Sequence, residues 1–225
     1  MASTDPAAPV SDAASLILMQ DRAGEAPRIL IVQRGAALVF AAGAYVFPGG
    51  RVDPEDRAAA ASAHPQLAPD EAAARIAAIR ETREETGIAL DPAIGAALIP
   101  FARWLPRHEA VKRRFDTRFY LARATGEDIP VADGEETSQA FWATAADVLA
   151  RCEAGDGRAI FPTRRLLERI ARFGSFADAC ADAARWPQRI ISPWIESRED
   201  GDWLRIPNDA GYPVTGEPIA TAFRY

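Results

Sequence analysis

Three glutamates lie close together in the segment RETREETG, residues 80–87. In a helix, at about 100° per residue, Glu84 and Glu85 lie about 60° and 40° to either side of Glu81, so all three carboxylates share one face. Like charges on one face repel each other, and a hard divalent cation such as Mg²⁺ would offset that repulsion. The alternative is a solvated acidic face. Arg80, four residues before Glu84, is placed to pair with it and to hold a ligand in position.

The helix that must carry these glutamates is well marked. It is predicted to start at Pro69 or Asp70, because Pro and two acids occupy its first turn. Gly87 follows Thr86 as a C-cap, and two isoleucines within the helix are spaced for a buried face that points away from the glutamates. The sequence therefore predicts a helix from residue 69 or 70 to residue 86.

Short strands and further helices surround this helix. Residues 15–20 and 28–34 have the pattern of a hairpin, and the run 44–50 stops at Pro-Gly-Gly, with a short alanine-rich helix in the loop that follows. The later elements are predicted as strands at 96–104, 118–124 and 140–144, helices at 143–155, 162–174 and 176–187, and a hairpin at 188–207. Strands mixed with helices in no regular βαβ alternation predict an α+β fold, with a mixed sheet sandwiched between helices and a helical C-terminal extension. Residues 1–12 are predicted to form a flexible tail and residues 13–225 a single domain.

The segment around the glutamates resembles the signature of the Nudix hydrolase family, Gly-x5-Glu-x7-Arg-Glu-U-x-Glu-Glu-x-Gly-U, in which U is aliphatic. Gly50, at the end of FPGG, matches the opening glycine. The closing half is matched by Arg80, Glu81, Glu84, Glu85, Gly87 and Ile88. The resemblance implies a Nudix-type α/β/α sandwich in which Glu81, Glu84 and Glu85 bind Mg²⁺ or Mn²⁺. It also implies that Arg80 and Glu84 belong to the catalytic residues, and it favours the metal site over the solvated face.

Two positions depart from the signature. Thr82 stands where the family has an aliphatic residue, and Asp56 stands where it has its first glutamate. The step from Asp56 to Arg80 is 80 − 56 = 24 residues instead of 8, so about 16 residues are inserted in the loop before the helix. Added loop length costs closure entropy that grows only slowly, so the acidic face is expected to survive the insertion. The role of Asp56 stays open.

An interrupted signature of this kind is similar to the peroxisomal-type coenzyme A diphosphatases, in which a Trp-x-x-Pro-like segment and an Arg-Arg-Phe-Asp-Thr motif follow. Here Trp104 opens Trp-Leu-Pro, and RRFDT occupies residues 113–117. Arg113 and Arg114, with Arg51 after the two glycines, are predicted to bind substrate phosphates, because the planar arginine fork suits phosphate oxygens. Trp104 is a candidate for stacking on a nucleobase. The alternatives are that the arginines pair with nearby acids and that the tryptophan packs in the core.

Glu135 and Glu136 precede the strand at 140–144. In the family a glutamate just before this strand often serves as a metal ligand or general base, and Glu136 is the closer positional match; an acidic turn is the alternative. The resemblance implies metal-dependent hydrolysis of the diphosphate bond of a nucleoside diphosphate linked to another moiety, with coenzyme A or a related nucleotide cofactor as the candidate substrate. A non-catalytic nucleotide-binding regulatory domain is the alternative, and a structural protein with a merely solvated helix is a third.

The composition argues against nucleic-acid-binding, membrane-associated and disulfide-rich proteins. The 26 basic and 32 acidic residues give a net charge of −6, so neither nucleic acid nor an anionic membrane surface is an expected partner. Two cysteines are too few for a disulfide framework, and no apolar run approaches the roughly 20 residues that span a bilayer. These features predict a soluble cytoplasmic protein. The C-terminal hairpin, with Trp194 and Trp203, either covers the core or forms a homodimer contact, and the spacing does not distinguish the two.

Overall fold

A mixed β-sheet of eight strands lies at the centre of the computed structural model, which describes residues 9–36, 41–106, 114–126 and 128–222. The strands are β1 (Val10–Arg22), β2 (Glu25–Arg34), β3 (Tyr45–Val46), β4 (Gly49–Arg51), β5 (Ile99–Trp104), β6 (Arg114–Arg123), β7 (Thr137–Thr144) and β8 (Ile190–Ile191). β1 runs parallel to β6, and β5 runs parallel to β8. The other neighbouring pairs of this sheet are antiparallel. The predicted mixed sheet is confirmed.

The first two strands form the predicted hairpin but separate away from its turn. They pair from Arg22 and Glu25, beside the turn, as far as Met19 and Ile29. Beyond that point β4 pairs with residues 13–15 of β1, and β3 pairs with the far end of β2. The short β3–β4 segment therefore fills the opening between two long strands, and this brings two consecutive glycines of β4 next to the helix layer.

Two helices cover one face of the sheet, α1 (Pro54–Ala63) and α2 (Pro69–Thr86). The predicted bounds of α2 are confirmed, and Gly87 caps it in the left-handed conformation with φ 69°. The buried face of α2 consists mainly of alanines, namely Ala72, Ala73, Ala74, Ala77 and Ala78. Small side chains let a helix lie close to its neighbour, and here they pack against aliphatic residues of β1 and against β6. The two isoleucines predicted to face the core are only partly buried beside it.

Three predicted helices on the C-terminal side are confirmed as α3 (Ala145–Ala154), α4 (Phe161–Ile170) and α5 (Phe176–Arg185). Their buried residues share one apolar cluster with alternate residues of β1 and β6, which point to the face opposite α2. Members of that cluster are Ile17, Met19, Phe119, Leu121, Leu166, Leu167, Ile170 and Ala179. Helices on both faces of a mixed sheet confirm the predicted sandwiched α+β fold.

The last part of the chain forms a second, three-stranded sheet. Its strands are β9 (Trp194–Arg198), β10 (Gly201–Arg205) and β11 (Gly216–Pro218), followed by helix α6 (Ile219–Ala222). The predicted hairpin is confirmed, and it joins the main core through Leu204 and Ile206, whereas Trp194 is 42% exposed. A 3-10 helix, Pro92–Ala97, precedes β5 and was not predicted. Among the described residues, none of the helices has the length and apolar character needed to span a bilayer.

The N-terminal boundary differs from the prediction. β1 begins at Val10, inside the segment 1–12 that was predicted to be a flexible tail. Residues 10–12 pair in parallel with residues 114–116 at the start of β6, and this long-range pairing orders a polar segment whose own composition predicts no structure. Residues 1–8 lie outside the described part of the chain, and the prediction of a single domain over residues 13–225 stays a prediction.

Candidate active site

The glutamates of α2 lie directly against the backbone of β4. The N–H of Gly49 donates a hydrogen bond to Glu85 Oε2 at 2.9 Å. The carboxylate of Glu81 occupies the space beside Gly50, where an added Cβ would collide with it. Glycine is needed at position 50 for this reason, because any side chain would displace the Glu81 carboxylate. The sheet and the helix together therefore fix the positions of two of the three glutamates.

Arg80 links the same helix turn to the chain before α1. Its Nη1 donates to Glu84 Oε2 at 2.8 Å, which is the predicted pairing, and to Glu81 Oε1 at 2.9 Å. Its Nε and Nη2 donate to the two carboxylate oxygens of Asp56 at 3.1 and 2.9 Å. A fifth bond, 3.0 Å long, runs from Nη2 to the carbonyl oxygen of Arg51. Its Nη2 also lies 3.5 Å from Asp53 Oδ2, so the guanidinium holds four carboxylates and one strand end in a single arrangement.

Asp56 is the site residue whose role the sequence did not reveal. It is 2% exposed, and besides its two-point contact with Arg80 it accepts the backbone N–H of Asp53 at 2.9 Å. That second bond satisfies a free N–H at the start of α1. A signal was present in the segment Asp-Pro-Glu-Asp, where an acid three residues after the cap position is typical of a helix start. Asp56 therefore caps one helix and anchors the arginine of the other.

Burial controls the electrostatics of the glutamates. It raises the pKa of Glu85 to about 8, against a lowering by the Gly49 N–H, and the neighbouring Glu81 and Asp133 carboxylates raise it further. Burial also raises the pKa of Glu81, with Arg80 acting in the opposite direction. The hydrogen bond from Arg80 to Asp56 raises the pKa of the guanidinium, so this arginine is charged at every relevant pH. The site is a partly buried cluster of acids beside the fixed cation Arg80, and the positive charge of Arg34 also lowers the pKa of Glu85.

Glu136 lies at the edge of this cluster. Its carboxylate is close enough to Glu81 to raise the pKa of that residue further. Its main chain is fixed by the N–H of Gly35, which donates to the Glu136 carbonyl oxygen at 2.8 Å. Within the described residues its side chain takes part in no hydrogen bond or ion pair. Glu136, predicted as a site residue from its position before β7, therefore lies near the glutamates of α2 and has a carboxylate that can accept a proton or bind a cation.

The donor set suits a hard divalent cation in its chemistry, because carboxylate oxygens are the ligands that Mg²⁺ and Mn²⁺ prefer. Two of the carboxylates are buried close together, and a cation would relieve their mutual repulsion. Over the described ranges, however, no group of three or more His, Cys, Asp or Glu side chains is already arranged to hold a metal ion. The reason is visible at Glu84, whose carboxylate turns to Arg80 and is 53% exposed. Binding a cation with all three glutamates requires that side chain to turn.

Trp104 does not belong to this site, so the suggestion that it stacks on a nucleobase is wrong for this structure. It is 1% exposed, its Nε1 donates to the hydroxyl of Tyr212 at 2.9 Å, and its ring packs edge-on against Phe161. No face of the indole is open to a ligand, because β5 carries it into the cluster beneath the C-terminal helices. The alternative, a tryptophan packed in the core, describes it correctly.

The predicted phosphate-binding arginines are spread over the sheet. Arg114 lies opposite Val10 and Arg51 opposite Ala13, so strand alternation directs their Cβ atoms to opposite faces. Arg114 is on the face that carries α2, is partly buried, and has an Nε without a hydrogen-bond partner in the described part of the structure. Arg51 contributes its carbonyl oxygen to Arg80 while its side chain is exposed. Arg113 lies outside the described residues.

Two other arginines on neighbouring strands, Arg103 and Arg118, are paired with acids. Arg103 makes a two-point ion pair with Asp116, with both distances 2.7 Å. Arg118, 9% exposed at its side chain, contacts Asp12 at 3.3 Å. These ion pairs lie on the strands and stabilise the sheet face, and they leave neither guanidinium free for a substrate.

Comparison with known proteins identifies the family and the fold of the chain. A sequence model of the NUDIX domain matches residues 10–163. The crystal structure of a NUDIX hydrolase from Alicyclobacillus acidocaldarius is similar with a TM-score of 0.67 and 25% identity, over 77% of this chain and 96% of that chain. The NUDIX domain of Shewanella oneidensis NrtR, solved with ADP ribose, has a TM-score of 0.51 and 17% identity over 76% of this chain and 93% of that one, a likeness of fold alone. No curated protein matches the chain.

Proposed function

The chain belongs to the NUDIX domain family, and from that premise we propose that it hydrolyses the diphosphate bond of a nucleoside diphosphate linked to another moiety. It is an enzyme of the pyrophosphohydrolase type. The observation that carries the proposal is the placement of Glu81 and Glu85 against the two glycines of β4. Arg80, on the same turn of α2, donates a hydrogen bond to Glu81 and helps to fix its position. A solvated acidic face would not bury a glutamate and tie it to a strand.

The metal-binding residues are Glu81, Glu84 and Glu85, with Mg²⁺ or Mn²⁺ as the cation. A divalent cation held there supplies positive charge to the phosphate oxygens and lowers the pKa of the water beside it. Arg80 is charged throughout and holds Glu81, Glu84 and Asp56 through hydrogen bonds rather than contacting the substrate itself. Glu84 is the most exposed of the three, so it faces the incoming phosphates.

Glu136 is the general base of the proposed mechanism. A base needs a free lone pair near the attacking water, and the Glu136 carboxylate is exposed, adjacent to the metal-binding glutamates and unpaired within the described residues. It accepts the proton of the water that attacks phosphorus, and the leaving phosphate departs with the electrons of the broken P–O bond. Glu84 is the second candidate for this role.

Substrate binding is the finer part of the proposal. Arg114, with Arg113 and Arg51, would contact phosphate oxygens, and Arg114 has the best support because it has an unused buried donor on the face of α2. Coenzyme A, or a related nucleotide cofactor, is the proposed substrate on the strength of the interrupted signature and the RRFDT motif. Helix α1 and the loop after it would be the inserted segment.

The test is hydrolysis by the purified full chain of coenzyme A, NADH, ADP-ribose and a dinucleoside polyphosphate, each with Mg²⁺ or Mn²⁺. At least one is expected to be cleaved at its diphosphate, with activity lost on chelation of the metal. The cation alone is expected to raise the melting temperature, since it binds only the folded protein. Tight binding by calorimetry with no product for any of the four would instead identify a nucleotide-binding regulatory domain.

The close contact at Gly50 gives a specific prediction. Gly50→Ala is expected to lower turnover by about tenfold or more, because the new methyl group displaces the Glu81 carboxylate from its position. Stability should change little, since the colliding group is the end of a flexible side chain. Steady-state kinetics and thermal unfolding measure the two effects.

Gly49→Ala is the contrasting variant. Its Cβ would collide with the backbone of Ala14 and Ser15, which cannot move aside, so the whole protein is expected to be destabilised. Full activity in a well-folded Gly50→Ala protein would show that the position of Glu81 does not matter.

A further inference from the structure

The loop that carries Glu136 is organised by a single carboxylate. Asp133 Oδ1 accepts the backbone N–H groups of Glu135, Glu136 and Thr137 at 2.8, 3.0 and 2.9 Å. Three bonds to one charged oxygen are charge-assisted and therefore stronger than neutral ones. They fix the main chain on both sides of the Glu136 Cα. The Glu136 side chain can then move only by rotation about its own χ angles.

Two further contacts attach this loop to the site. The N–H of Val131 donates at 2.8 Å to the carbonyl oxygen of Thr86, the last residue of the helix that bears the metal-binding glutamates. On the other side, Gly35 donates to the Glu136 carbonyl oxygen at 2.8 Å, and a Cβ on Gly35 would lie 3.2 Å from the Glu135 carbonyl oxygen. The loop is therefore tied to α2 at one end and to the end of β2 at the other, with the Asp133 turn between the two ties.

We propose that Asp133 is a positioning residue for Glu136: its carboxylate shapes the loop so that the general base lies beside Glu81. The inference rests on the proposed function, because it concerns the geometry of the base in that reaction. Asp133 does not itself touch the substrate. Removing its side chain leaves the exposed N–H groups of Glu135 and Glu136 to bond with water and takes away the partner of the N–H of buried Thr137, so the loop loses its shape while the core of the protein keeps its packing.

A second role for Asp133 must be separated from the first. Its negative charge also acts on Glu85, which is what one more acid of the cation site would do. Asparagine distinguishes the two roles. The amide oxygen of Asp133→Asn can accept the same three backbone bonds but carries no charge. A positioning role is therefore retained in Asp133→Asn and lost in Asp133→Ala, whereas a role of charge is lost in both.

The test is a double-mutant cycle in the full chain with Mg²⁺, using whichever of the four diphosphates above is cleaved fastest. Glu136→Gln is expected to lower kcat by about 100-fold. Asp133→Ala is expected to lower it by about tenfold with KM within about twofold, and Asp133→Asn to restore most of it. In the Glu136→Gln background, Asp133→Ala should cause no further loss, because the group it positions is gone. Glu135→Ala, a change to the neighbouring acid whose side chain makes no contact in the described residues, is the matched control and should keep kcat.

Amide hydrogen exchange gives a readout independent of activity. The N–H groups of residues 135–137 should exchange faster in Asp133→Ala and at the wild-type rate in Asp133→Asn. Additive losses in the double mutant, or an Asp133→Asn protein as impaired as Asp133→Ala, would overturn the positioning role. If instead the wild-type protein cleaves none of the four substrates, the proposed function fails, and the exchange rates still report whether Asp133 shapes the loop.

Discussion

Glu85→Gln is expected to reduce metal-dependent hydrolysis by about 100-fold or more, the largest effect of any conservative change at the site. The amide oxygen can still accept the Gly49 N–H, so the contact between α2 and β4 is kept. What is lost is a negative oxygen donor buried at the centre of the acid cluster. Turnover measured over a range of Mg²⁺ and Mn²⁺ concentrations checks the prediction.

The same variant is expected to stabilise the metal-free protein. The folded pKa of Glu85 is raised to about 8 from 4.5, so the folded state binds this proton more tightly than the unfolded state does. Stability is therefore unaffected by this group below about pH 4.5 and falls as the pH rises toward 8, by an amount on the order of a few kcal/mol. Glu85→Gln removes that decline. Thermal unfolding of both proteins at several pH values, with the metal chelated, measures it.

Asp70→Asn is the matched control for Glu85→Gln. Asp70 lies on the same helix, but its side chain is 72% exposed and, among the residues that the structure describes, forms an ion pair only with Arg57 near the helix start. It should change neither turnover nor the pH dependence of stability. A folded Glu85→Gln enzyme with wild-type turnover would remove Glu85 from the cation site.

Arg80→Met is expected to cost about 3 kcal/mol of folding free energy and to lower turnover by at least about tenfold. The Asp56 side chain is 2% exposed and that of Glu81 13%, so removal of the guanidinium leaves two carboxylates buried without a cation. Glu84 also loses its partner, and the start of α1 loses its connection to α2. Urea unfolding and steady-state kinetics provide the two measurements.

A second substitution separates the two causes. Asp56→Asn added to Arg80→Met removes one uncompensated charge, so it should recover part of the stability but none of the turnover. If Arg80→Met unfolds at the same urea concentration as the wild type, the buried contact with Asp56 contributes nothing to stability.

The elements predicted well from the sequence are those specified by local patterns. Helix α2 begins and ends as expected, because Pro69 and Gly87 act within one turn of the chain. The hairpin of β1 and β2 and the three C-terminal helices are also local. The Arg80–Glu84 pair follows from helical spacing alone.

The features that were missed depend on distant contacts. Residues 10–12 become a strand only because the start of β6, about a hundred residues later, pairs with them. Asp56 acquires its role from an arginine 24 residues later in the chain. The burial of Trp104 depends on Tyr212, more than a hundred positions along the chain. No local pattern specifies which distant segment a residue meets, and for this reason these supports of the candidate site could not be predicted from the sequence.

The contact between Asp56 and Arg80 closes the chain into a ring that contains α1 from Asp56 onward and the first two thirds of α2. A change of length in the stretch 61–66, which is exposed except for His64, is therefore separated mechanically from the carboxylates, because the contact between Asp56 and Arg80 lies between the two. Such a ring allows the connection to vary in length over evolution, or to be cut and reconnected in the laboratory, while the reaction centre keeps its shape.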